Sequence, residues 1–182
     1  MSDIAAVQHA TLHCHPISAA MGVDDIHITV QRPAAHLLQL SYQVLGKLSE
    51  LRIPAISAPQ RCDELWRHTC AELFVTVPDA ELYHEFNFSP SAHWAAYEFT
   101  AYRQDMRAAD CAAPLIEVMQ AERQLLIKVQ VRLPVQLVTH QHLQLGFSMV
   151  IETMMNQCAY WALTHSTDHP DFHRRDNFIM TI

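Results

Sequence analysis

The chain has 182 residues, half of them hydrophobic, with 12 Lys and Arg against 19 Asp and Glu and a formal net charge of -7. That is enough apolar sequence for one domain, residues 1–182, to bury a core without help from disulfides or metal. The basic residues are scattered, which excludes the concentrated cationic patch that nucleic acid requires, and no stretch approaches the length of a membrane span.

In chain order, the opening MSDIAAVQHATLHCHPISAAMGV has neither a basic start nor a sustained apolar run. It does not read as a secretory signal, so a cytoplasmic location is the expectation. Ile26, Ile28 and Val30 then alternate with polar residues, the period-two pattern of a strand with one buried face. Leu38, Leu40, Tyr42 and Val44 repeat it, as do Leu73, Val75 and Val77. The run HEFNFSPSAHWAAYEF, residues 84–99, divides into two strands joined at Ser89-Pro90-Ser91, with Phe86, Phe88 and Phe99 predicted to turn inward and Trp94 to pack beside Tyr97 and Phe99. A strand near 114–119 follows, then a clean alternation through Leu125, Ile127, Val129, Val131 and Leu133. Pro134 to His140 fits one helical turn started by its proline. Leu143 to Glu152 alternates again, the segment after Trp161 reads as a polar loop, and Asn177 to Ile182 closes the chain as a strand.

About ten strands with little room for long helices predict an all-β fold, two antiparallel sheets packed face to face as a β-sandwich. Three glycines, Gly22, Gly46 and Gly146, lie too far apart for a phosphate-cradling loop, a dinucleotide fingerprint or a nucleophile elbow. Five scattered cysteines fit reduced thiols better than a disulfide framework.

Between Arg61 and Arg103 the sequence is more specific. Trp66 precedes a predicted strand carrying Glu72, Tyr83-x-Glu85-Phe86-x-x-Ser89-Pro90 follows, and then Trp94; near the end come Tyr160-Trp161-Ala162-Leu163 and Pro170-Asp171-Phe172-His173. This arrangement resembles the DOMON-like domains, and among them those similar to type 9 carbohydrate-binding modules. The resemblance implies a β-sandwich that binds sugars in some members and haem in redox relatives. It further implies a clamp of Trp66 and Trp161 around a pyranose, with Glu72 as a hydroxyl acceptor and Asn156 as an additional polar contact. Position 71 is Ala where the carbohydrate modules carry a basic sugar contact.

The chemistry of such a set is clear: a flat ring covers the C–H face of a sugar while fixed polar groups read its hydroxyl rim. Each residue also has a plainer reading. Trp66 and Trp161 serve equally as plugs at the ends of a core, and Glu72 as a solvated strand residue. Asn87 and His93 either edge a ligand site or bond their own turn.

Thirteen histidines include His13 and His15, His140 and His142, each pair placed on one side of a strand, and His165, His169 and His173 in the late loop. Neither a His-Glu-x-x-His helix nor a Cys-x-x-Cys pair accompanies them, so no metal site is expected. Haem would need an axial pair such as Met and His, with Met154 and Met155 available.

The expected function is therefore a non-catalytic module for a carbohydrate or sugar-containing metabolite. A haem-binding electron-transfer domain and a protein-interacting accessory β-sandwich are the alternatives. Glu72 and Glu85 are a conceivable acid/base pair, but the sequence does not fix the separation on which glycoside hydrolysis depends.

Overall fold

A computed structural model describes residues 6–182, so the first five residues of the opening segment lie outside the described residues. Twelve strands follow in the order β1 Gln8–Cys14, β2 Val23–Ala34, β3 Leu37–Gly46, β4 Cys70–Thr76, β5 Tyr83–Phe88, β6 Trp94–Phe99, β7 Arg107–Ala108, β8 Leu115–Ala121, β9 Gln124–Arg132, β10 Gln144–Glu152, β11 Cys158–Ala162 and β12 Met180–Thr181. The helical turn expected after Pro134 is present as α1, Val135–Val138. No helix among the described residues is long and apolar enough to cross a membrane.

Every strand pairs antiparallel in one strongly curled sheet of order β7-β6-β5-β4-β10-β11-β1-β2-β3-β9-β8, with β12 beside β10. Strand β1 carries the sheet from one layer to the other: Gln8 to Leu12 pair with β2, while His13 and Cys14 pair with Ala162 and Trp161 of β11. The two layers close on one main core. Ile26, Leu40, Tyr42 and Ile127 from one side meet Leu73, Phe86, Phe147 and Met149 from the other. Burying each such side chain contributes roughly 1.5–3 kcal/mol, which is what drives the sheet to fold over itself. Tyr42 also donates its hydroxyl to the backbone carbonyl of Glu72, fixing β4 from the opposite layer.

Where alternation is clean, the expected faces are correct. Two assignments in the 84–99 run are not. Phe86 and Phe88 enter the main core, but Phe99 lies opposite Tyr83 on the other face and stacks on it at 4.8 Å between centroids. Trp94 has the opposite parity to Tyr97 and Phe99, so it joins the main core rather than packing beside them. Strand β11 was not foreseen because it is apolar throughout and so shows no period-two contrast. His140 and His142 fall in the loop between α1 and β10, not on a strand.

The second face of the β4–β6 layer is also covered, and this positions the site. Phe74, Tyr83, Ala95, Tyr97, Phe99 and Phe178 form a smaller core beneath the C-terminal segment. Phe178 stacks on Phe74 at 5.4 Å and sits over Gly146, where an added Cβ would approach its ring to 2.5 Å. Substituting Gly146→Ala is therefore expected to cost about 1–3 kcal/mol through overpacking, measured by urea unfolding. An unchanged midpoint would show that Phe178 moves freely.

Candidate binding site

Period-two geometry sends Glu72 of β4, Glu85 of β5, Ser148 and Val150 of β10 and Tyr160 of β11 to the face away from the main core. There they underlie an open pocket of about 330 Å³, in the size range of small-molecule sites. Glu72 and Glu85 form its floor. Trp66, Phe99, Met106, Tyr160, Pro170 and Phe172 supply the walls, and Arg103 and His173 the rim.

Trp66 sits in a single 3-10 turn, Leu65–Arg67, entered through Glu64 in the left-handed conformation at φ 61. Its indole meets Tyr97 edge-on at 5.6 Å, and Tyr97 in turn donates a 2.6 Å hydrogen bond to Asp63. The same loop is strapped to β6 by Arg61, which donates to the carbonyl of Ala96 and lies over the rings of Trp94 and Tyr97. Trp66 thus reaches the pocket from a loop fastened to β6 just ahead of it.

The two floor carboxyls are nearly sealed from water, at 2 % and 4 % exposure. Glu72 is directly opposite Asn87, and Glu85 opposite Phe74, so the glutamates are diagonal neighbours across β4 and β5. Ser148 donates to Glu72 at 3.0 Å and Asn87 donates to Glu85 at 2.8 Å. Burial nevertheless pushes Glu72 well above the usual carboxylate range, and the Glu85 charge adds to the effect against the Ser148 bond. Burial likewise raises Glu85, to about 7, against the opposing influence of Asn87 and Arg103.

The rim is a connected polar cluster. Arg103 Nη2 donates to Asp171 at 2.9 Å, Tyr102 donates to the other oxygen of that carboxylate, and Asn177 binds the Asp171 carbonyl. Burial alone would raise Asp171, but the bonds from Tyr102 and Arg103 outweigh it and hold this carboxyl below its ordinary value. His173 Nδ1 lies 2.8 Å from the Tyr83 hydroxyl, which also accepts the Arg103 backbone N–H. Burial, reinforced by Arg103, pushes His173 down to about 4, so its 3.7 Å approach to Glu85 is no ion pair at neutral pH.

Of the residues expected from sequence, Trp66 and Glu72 come together in this pocket. Trp161 does not. It faces the main core between Ala159 and Leu163, at 4 % exposure, because it shares their strand parity. The ring that reaches the pocket from β11 is its neighbour Tyr160. Asn156 lies in the exposed β10–β11 turn, where its φ of 59 serves the chain reversal. His93 is engaged elsewhere, with Ser57 at 2.8 Å and Cys62 at 3.5 Å. Asn87 does not line the cavity; it acts beneath it by holding Glu85.

Arg103, Tyr160, Phe172 and His173 were not anticipated as site residues. Arg103 supplies from the β6–β7 turn the cation that position 71 lacks. Tyr160 was discoverable from β11, had Ala159, Trp161 and Leu163 been read as one inward row.

Several of the other histidines have structural partners. His15 binds the Thr167 carbonyl at 3.0 Å and His165 the His13 carbonyl at 2.8 Å, tying the late loop to β1. Among the described residues no group of three or more His, Cys, Asp or Glu is placed to hold a metal ion. Haem does not fit the pocket well: both His173 nitrogens face protein groups, and Met154 and Met155 are exposed in a distant turn. A second hollow of about 400 Å³ lies on the outer face of the β2-β3-β9-β8 layer. There Thr29 bonds Ser41 and Gln31 bonds Gln39, so much of its polar surface is already satisfied.

No family model matches the sequence, and no curated protein does. Solved structures match it in fold. A candidate carbohydrate-binding protein of Bacteroides uniformis superposes with a TM-score of 0.67 at 12% identity, covering 94% of this chain and 84% of that one. The chain shares its fold. A family 9 carbohydrate-binding module of Caldicellulosiruptor kristjanssonii, solved in complex with glucose, superposes with a TM-score of 0.52 at 8% identity, over 93% and 81% of the two chains. The carbohydrate-binding-module fold expected from the Trp66–Trp94 motif is therefore the one observed.

Proposed function

We propose that this protein is a non-catalytic binding module for a pyranose or a sugar-containing metabolite, held between Trp66 and the β11 side of the pocket. The observation that carries the proposal is one cavity combining indole and phenol walls with two buried acceptors and a guanidinium at the rim. Rings cover the apolar face of a sugar and the polar groups order its hydroxyls. The glucose complex of the structurally similar family 9 module adds support by analogy. The five unpaired thiols agree with a reducing, cytoplasmic setting, which is part of the same proposal.

The two glutamates project from adjacent strands of one surface and so face the same side of a guest. Glycoside hydrolysis instead places its carboxyls to flank the scissile bond. Binding is thus the better reading.

Titration with mono- and disaccharides, followed by tryptophan fluorescence, tests it. Trp94 and Trp161 are buried and give a constant background, so the change reports Trp66. Trp66→Ala, titrated by calorimetry because it lacks the reporting indole, and Tyr160→Ala are each expected to weaken binding roughly tenfold, about 1.4 kcal/mol. Silence across the whole panel would remove the proposal.

A further inference from the structure

The pocket floor carries more acid than a neutral sugar requires. Glu72 and Glu85 are diagonal cross-strand neighbours, roughly 7–8 Å apart along the sheet, and each already receives one hydrogen bond from the protein. Glu72 Oε1 and Glu85 Oε2 receive no hydrogen bond from the described residues. The cation lining the cavity is Arg103, and its guanidinium is bound to Asp171. With Glu72, Glu85 and Asp171 ionised against Arg103, three negative charges face one positive, an excess of two.

Nothing else facing the carboxyls removes that excess. The imidazole of His173 is uncharged at neutral pH. Burial raises the Cys70 thiol and the Tyr83, Tyr97 and Tyr160 hydroxyls, which keeps all four neutral. Ser148 and Asn87 carry no charge, and beyond Tyr97 the acid Asp63 and the cation Arg61 offset each other. Around the floor stand Trp66, Tyr160 and Phe172, whose faces attract a cation as well as sugar C–H groups.

We infer that the guest is an amino sugar whose protonated amine lodges at Glu72 and Glu85; this rests on the sugar-binding reading above. A neutral hexose leaves two adjacent buried carboxyls that repel each other and must retain a proton. An ammonium group on the ring permits both to ionise, the proton they shared passing to solvent. The raised position of Glu85, about 7, means that a substantial share of this proton is still in place near neutrality before the ligand arrives.

Calorimetric titration of the intact protein decides the matter. The panel is glucosamine, galactosamine and mannosamine, their neutral parent hexoses and their N-acetyl forms, at a pH about one unit below the ~7.7–8 of an α-amino group. At least one amine is expected to bind tenfold or more tightly than its parent hexose, and its N-acetyl form, which keeps the ring but loses the charge, no better than that parent. The heat should differ between two buffers of unlike ionisation enthalpy, because a proton is released. Glu85→Gln should erase the preference for amine over parent while the protein stays folded by circular dichroism.

Binding in which every parent hexose matches its amine would overturn the inference and leave the sugar-binding reading standing. Absence of binding by all nine sugars would overturn both. A retained amine preference in Glu85→Gln would also count against the placement of the ammonium group.

Discussion

Replacing Trp161 by Ala is expected to lower the free energy of unfolding by about 3–5 kcal/mol, the usual cost of emptying a large aromatic site in a packed interior. The indole lies in the main core with Ala159 and Leu163 in its own row, opposite Met149 of β10. It also stands where β11 hands the sheet to β1, being paired with Cys14 as well, so a cavity there loosens the junction of the two layers. Its Nε1–H finds no hydrogen-bond partner among the described residues. Leaving such a donor buried costs about 1–3 kcal/mol. Trp161→Phe, which removes the orphaned donor and keeps most of the apolar volume, should therefore cost less than half as much as Trp161→Ala. Urea unfolding of both variants beside Tyr160→Ala tests this. The adjacent tyrosine faces the pocket and should affect stability far less than it affects binding. A Tyr160→Ala variant less stable than Trp161→Ala would contradict the assigned faces of β11.

The second large effect is on the pH dependence of stability. Glu85 has its native pKa raised from 4.5 to about 7. The native state therefore binds this proton more tightly than the unfolded chain does. The associated stability is complete below 4.5 and is lost as pH rises towards 7, a loss of about 3 kcal/mol by linkage. Glu72, raised by burial and by the Glu85 charge, acts in the same direction.

His173 opposes them over part of the range. Pushed from 6.5 to about 4, it disfavours the native state as pH falls through that interval. The wild-type curve is thus partly cancelled, and the informative quantity is the difference from Glu85→Gln. That variant should match the wild type in stability near pH 4.5 and exceed it increasingly up to about 7, then run parallel. Removing the Glu85 charge also relieves Glu72, which enlarges the gap. Urea unfolding across this interval measures it, and two parallel curves throughout would show that Glu85 is no more shielded from water than in the unfolded chain.

Trp161 holds the sandwich together from the main core, whereas Glu85 lines the pocket and weakens the fold as pH rises from 4.5 to about 7. Buried charge retained against a stability cost is the mark expected of a functional site.

The amino-acid sequence by itself determined the strand class, most strand positions and the inward rows of β2, β3, β9 and β10, because in those segments one face is apolar and the other polar. It also marked Trp66 and Glu72 through the motif that resembles carbohydrate modules. Only the tertiary structure decided the rest. Strands β4, β5 and β6 are covered on both faces and β11 is apolar on both, so their sequences carry little contrast between inside and outside. A one-residue change of parity there moves a ring from the core to the pocket, which is how Tyr160 takes the place expected of Trp161. Arg103 and His173 come from a turn and from the C-terminal loop, segments with no periodicity, and they meet Glu85 only because the chain folds back across β4 and β5. Local alternation is written into neighbouring residues, whereas convergence of distant segments depends on how the whole sheet closes on its core.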